Sequence, residues 1–128
     1  MIIADASAIL AILLVEPDRD LFVAKCQGAS ELVMSPVNYW EVLVRAQALD
    51  GARGEERAEQ VMRSFDIKVA NIDADVARAA ADAFARFGKR APARLNLGDC
   101  FAYALAKSRG APLLFKGDDF TKTDIVAA

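Results

Sequence analysis

Four carboxylates of this chain stand where an α/β protein gathers its chemistry. Asp5 follows the apolar run "IIA" (residues 2–4) directly. Glu41 lies about one and a half turns into the helix expected after "ELVM" (31–34). Asp99 falls in the first turn of a helix over 97–109, where backbone N–H groups and the helix dipole favour negative charge. Asp118 follows "PLLF" (112–115) after only Lys116 and Gly117, and Asp119 is next to it. In parallel sheets flanked by helices, sites collect at the carboxyl ends of the strands. A common location at one sheet edge is therefore expected for all four.

Each acid also has a purely structural role open to it. Asp5 can cap the first helix. Asp99 lies three residues after Asn96 and can complete a capping box. Asp118 and Asp119 suit a Gly-Asp-Asp turn. Glu41 can pair with Arg45 one turn on, a contact worth about 0.2–0.5 kcal/mol. Glu41 borders an expected apolar stripe of Val37, Trp40, Val44 and Ala48, with Asn38 and Arg45 on its other side.

Clustered carboxylates repel, and one must take up a proton unless a cation intervenes. The chain has no histidine, and Cys26 and Cys100 form no CxxC pair. An all-oxygen donor set selects a hard divalent ion, Mg²⁺ or Mn²⁺. Such an ion activates water and steadies phosphoryl charge during in-line attack. Ser7 places a small hydroxyl beside Asp5, able to orient water or the carboxylate, or simply to start the helix.

The elements that must position these groups alternate. An apolar run at 2–4 leads to a helix over 6–15, a second helix over 18–28 and a strand at 31–34. Ser35 as N-cap and Pro36 as first residue open a helix to about Leu49, which "DGARG" breaks. A charged helix over 54–64, a strand at 66–71 and a helix from Asp73 to about Phe87 follow. A loop at 88–96, the helix over 97–109 capped by Asn96, and a strand at 112–115 complete the order, with "TDIVAA" adding an edge strand. This alternation predicts a three-layer α/β/α fold with a central, mostly parallel sheet flanked by helices.

The 128 residues are 55% hydrophobic, enough for one packed domain over 1–128. The net charge of −2 carries no global nucleic-acid signature, so any such contact must be local. Absence of histidine excludes imidazole bases, His-based triads and His-containing zinc sites. Unpaired cysteines point to a reducing, cytoplasmic setting. The N-terminal apolar run has no basic flank, is interrupted by Asp5 and is too short to span a bilayer, so a core strand and helix are expected there, with no membrane partner.

"IIADASAIL", "SPVNYWEVLVR" and "LNLGDCFAYALAKSRGAPLLFKGDDFTKTDI" together resemble a PIN-domain protein of the VapC toxin type, in order and over essentially the whole chain. The resemblance implies a Mg²⁺-dependent endoribonuclease, with Mn²⁺ as a substitute, acting as the toxin of a type II toxin–antitoxin pair. Its implied partners are RNA, a VapB-type antitoxin and a second copy in a homodimer or larger complex. The family's acids fall on Asp5, Glu41, Asp99 and Asp118 or its neighbour. Asp5, Asp99 and Asp118 are then the expected metal ligands, with Asp119 a further candidate and Glu41 acting directly or through water. Lys116 stands where many relatives have Thr or Ser, two residues before the fourth acid. Alternation along an extended backbone assigns the pocket to Asp118 and the turn cap to Asp119.

RNA contact requires positive charge. The cations in "RFGKRAPAR", Arg86, Lys89, Arg90 and Arg94, are the expected contacts, with Lys116 adding charge beside the acids. The apolar segment at 8–26 is expected to dock an amphipathic antitoxin segment. Two other classes compete. A phosphoacceptor receiver also gathers aspartates and a lysine at a sheet edge, but needs an acidic pair after the first strand and an acid after a middle strand; here Asp5 is single and "ELVMSP" has none. A catalytically inactive PIN interaction module would keep the fold without the chemistry.

Overall fold

The computed structural model describes residues 1–128. In chain order it comprises β1 (Ile2–Ala4), α1 (Ala6–Leu13), α2 (Arg19–Gly28), β2 (Leu32–Met34), α3 (Pro36–Ser64), β3 (Lys68–Val69), α4 (Ala74–Phe87), α5 (Leu97–Arg109) and β4 (Leu113–Leu114), then a 3₁₀ turn at Asp119–Lys122. The sheet order is β3-β2-β1-β4, and every pairing is parallel.

Register divides the core in two. Ile3 aligns with Val33 on one side and Leu113 on the other, and these three face α4 and α5. Ala4, Leu32, Met34 and Leu114 point the other way and pack with α1, α2 and α3. Alternate residues of a strand face opposite sides, so apolar strands buried on both faces produce this three-layer arrangement.

Local chemistry starts and stops the helices. Ser35, Asp73 and Asn96 each accept a backbone N–H three residues on, N-caps worth about 1 kcal/mol apiece. Gly110 ends α5 in the left-handed conformation at φ 59°. The expected break at "DGARG" is present: α3 folds back on itself at Asp50 and Gly51, whose φ is 52°. The two arms pack so closely that a Cβ on Gly54 would lie 2.1 Å from the Ala46 carbonyl oxygen.

The strands are shorter than expected. β3 covers only Lys68–Val69, both exposed, as befits a sheet edge. "TDIVAA" forms a single parallel bridge between Ala127 and Leu113 rather than a full strand. The apolar stripe expected on α3 is also displaced: its first arm buries Asn38, Val42 and Ala46, while Trp40 and Ala48 are exposed. No helix is long and apolar enough to cross a membrane.

Candidate active site

β1 delivers Asp5 to the carboxyl edge of the sheet, where it is only 4% exposed. Its side chain caps α1, as the structural alternative required: the Ser7 backbone N–H donates to Asp5 Oδ2 at 3.0 Å. The Ser7 hydroxyl donates to the same oxygen at 2.5 Å, and Ser7 Oγ accepts the Lys116 backbone N–H at 3.0 Å. Ser7 thus links the end of β4 to Asp5. Burial pushes the Asp5 pKa up, the Ser7 hydrogen bonds oppose it, and the Asp119 charge raises it further.

Asn38 organises the centre. It is fully buried. Its Oδ1 accepts the Ser35 hydroxyl at 2.5 Å, which orients the amide. Nδ2 then donates toward Asp5 Oδ1 (3.3 Å), Glu41 Oε2 (3.0 Å) and the Gly98 carbonyl (3.1 Å). An amide nitrogen has two hydrogens, so three acceptors share them. One side chain therefore ties β1, α3 and the first turn of α5 together. Sequence reasoning missed this role; the available signal was an Asn one turn ahead of the buried Val42 and three residues before Glu41.

Glu41 is half-buried, and desolvation followed by the Asp5 charge raises its pKa against the Asn38 hydrogen bond and Arg45. Its carboxylate fills the space over Gly98, where a Cβ would lie 2.2 Å from Oε1.

Asp99 completes the capping box of α5: its own N–H donates to Asn96 Oδ1 at 2.8 Å, and Asp99 Oδ2 accepts the Asn96 N–H at 3.0 Å. The box uses one carboxylate oxygen, Oδ2, and no hydrogen bond engages Oδ1. Desolvation, then the charges of Asp5, Asp119 and Glu41, push its pKa up to about 7 despite the Asn96 N–H. Asp5 and Asp99 thus each cap a helix and also line a common cavity.

The double aspartate lies at the start of the 3₁₀ turn that follows β4. Asp119 is the member whose charge raises both Asp5 and Asp99. Asp118 occupies the N-cap position of the 3₁₀ turn without a side-chain capping bond. The chain curls into that turn instead of continuing extended, so strand alternation fails there.

Asp5, Ser7, Glu41 and Asp99 open onto one cavity of about 300 Å³, whose wall also includes Trp40, Val44, Arg45 and Asn96. None of the five expected RNA-contacting cations lines it. Lys116 Nζ is engaged by Glu16 and, at 3.0 Å, by Asp18, while Arg86 sits 3.9 Å from Asp124 and over the Phe87 ring. Lys89, Arg90 and Arg94 are exposed on the loop that leads into α5. The cation at the cavity is Arg45, which forms no ion pair with Glu41.

The donor set suits a hard divalent cation in type and charge: carboxylate oxygens that raise one another's pKa and have no ion-pair partner. No three acids close around a single point as a ready-made cage. This is compatible with Mg²⁺, which keeps several waters and takes one or two carboxylates directly.

The family described as PIN domain matches residues 2–126. Ribonuclease VapC42 of Mycobacterium tuberculosis is 41% identical over 125 residues, covering 96% of this chain and 95% of that protein. Ribonuclease VapC of Mycolicibacterium smegmatis is 40% identical over 126 residues, covering 98% of each. Among solved structures, the sarcin-ricin loop cleaving toxin VapC20 of Mycobacterium tuberculosis superposes with a TM-score of 0.82 at 17% identity, over 100% of this chain and 98% of that one. A toxin–antitoxin complex from Klebsiella pneumoniae gives 0.77 at 16% identity, over 100% and 97%. At such identities these two structures speak for the fold alone.

Proposed function

The chain belongs to the PIN-domain family, among its VapC ribonucleases, and from that premise we propose that it is a metal-dependent endoribonuclease, the toxin of a type II toxin–antitoxin pair. One observation carries the reading: Asp5, Glu41 and Asp99, brought from three separate elements, face one cavity with no ion pair to neutralise them. Structure alone seldom requires such an arrangement, because buried like charges raise one another's proton affinity.

In this reading Asp5 and Asp99 hold Mg²⁺, or Mn²⁺ in its place, and Glu41 reaches it through water. Asp119 supplies the fourth carboxylate in preference to Asp118, a choice supported by its charge acting on both principal ligands. The chemistry such an ion supplies is a lowered pKa for water and compensation of phosphoryl charge. Ser7 and Asn38 each grip one Asp5 oxygen and hold the carboxylate in place. Asn38 does the same for Glu41. Asp99 lines the cavity while its Oδ2 stays in the capping box.

The exposed Lys89, Arg90 and Arg94 contact RNA phosphates on the way into the cavity; Lys116 serves instead to brace the turn after β4 against the α1–α2 connection. A VapB-type antitoxin lays an apolar segment over α1 and α3, where a cavity of about 430 Å³ is lined by Leu13, Leu14, Val15, Ala46 and Leu49 among others. Homodimers, single-domain organisation over 1–128 and action in the cytoplasm belong to the same reading. Family membership removes the basis for the phosphoacceptor alternative. RNA cleavage that requires Mg²⁺ or Mn²⁺ and stops with EDTA tests the activity and separates it from an inactive interaction module.

A further inference from the structure

The single tryptophan of the chain is in the wrong place for a core residue. Trp40 is 59% exposed, although hydropathy puts it in the buried stripe of α3. Tryptophan is highly buried on average, so an indole left on the surface forgoes a large apolar contribution. Its location suggests why. Residues 40, 41, 44 and 45 form one stripe along α3, and all four line the cavity that contains Asp5 and Asp99. Arg45, exposed and free of ion pairs, shares that wall.

Taken with the nuclease reading above, on which this inference rests, we propose that Trp40 is a stacking platform for one unpaired nucleobase of the RNA, with Arg45 receiving an adjacent phosphate. The acids repel an approaching polyanion. A π face attracts a base whatever the charge nearby, and an unengaged guanidinium offsets the repulsion locally. Proteins read single-stranded RNA by splaying bases onto aromatic rings and arginine planes. Stacking beside the catalytic carboxylates fixes the nucleotide next to the bond to be cut, so this wall selects where the strand is held.

Because Trp40 is the sole indole, its emission reports on this site alone. With the Asp99→Asn variant, titration with a short single-stranded RNA should quench the emission in step with binding followed by anisotropy of a labelled strand. In the active protein, Trp40→Ala should raise KM about tenfold with kcat little changed, and Trp40→Phe should restore most of the loss. An abasic nucleotide walked through the substrate should match that KM rise at one position and add nothing there to Trp40→Ala. RNA binding without quenching, or a Trp40→Ala KM within twofold of the parent, would overturn the stacking role. So would an emission change driven by protein concentration or antitoxin alone, with none from RNA. If RNA is neither bound nor cut by the parent protein, the nuclease reading itself fails and takes this inference with it.

Discussion

The Glu41 carboxylate occupies the volume that a side chain on Gly98 would need: a Cβ built there lies 2.2 Å from Oε1 and 2.3 Å from Oε2. Glycine is thus required for close approach at the start of α5, not for an unusual backbone angle. The obstacle is the far end of a flexible side chain, which can swing aside. Gly98→Ala should therefore keep the fold, with a melting temperature near the parent's, while RNA cleavage falls about tenfold or more as Glu41 leaves its station. Unfolding would show that the contact is structural; full activity would show that Glu41 need not sit there.

Under the proposed mechanism Asn38 acts as a positioning residue, since it touches the Asp5 and Glu41 carboxylates rather than the reacting atoms. Asn38→Ala should lower cleavage about 10–100-fold, as loss of a partner around metal ligands does. It should also cost about 1–3 kcal/mol of stability by leaving Ser35 and the Gly98 carbonyl short of a buried partner. Mg²⁺ titration followed by calorimetry should show weaker binding in this variant. Unchanged Mg²⁺ affinity would confine Asn38 to folding.

Repulsion among the acids sets a pH dependence. The Asp99 pKa rises from 3.8 to about 7 on folding, so the native state holds that proton more tightly than the unfolded chain. Its contribution is most favourable below about pH 4 and is lost as pH rises through about 7. Without divalent ions, Asp99→Asn should accordingly melt higher than the parent at pH 8, and the gap should close toward pH 4. Mg²⁺ should narrow the gap at pH 8 by stabilising the parent selectively. The comparison between variants matters because Asp124, whose pKa is lowered by Tyr103 and Lys107, pushes stability the opposite way at acid pH.

The two neighbouring aspartates should separate cleanly. Asp119→Asn should reduce cleavage and Mg²⁺ affinity more than Asp118→Asn, because it is the Asp119 charge, of the two neighbours, that raises the pKa of both Asp5 and Asp99. A larger loss from Asp118→Asn would return the fourth position to the residue that strand alternation selects.

Hydropathy and capping signals were enough to place the helices, the break at Asp50–Gly51 and the acids Asp5, Glu41 and Asp99, because each depends on local chemistry. Tertiary exchange hid the rest. Asn38 is buried because Ser35, Asp5, Glu41 and Gly98 satisfy its amide, and no local window contains that set. Trp40 and Asn38 consequently trade the faces that polarity assigns them. Lys116 reads as a free cation beside the site, yet Glu16 and Asp18, brought in by the α1–α2 connection, engage it. The expectation for Asp118 rested partly on an extended chain after β4, and the chain coils there instead.

The most direct test is RNA cleavage by the purified chain and by its Asp5→Asn and Asp99→Asn variants, each checked for native folding, with Mg²⁺ present, removed by EDTA and restored. Cleavage by the parent should vanish in EDTA and return with the ion, and neither variant should cleave. Undiminished cleavage in EDTA, or full activity in either folded variant, would contradict a metal site built on Asp5 and Asp99.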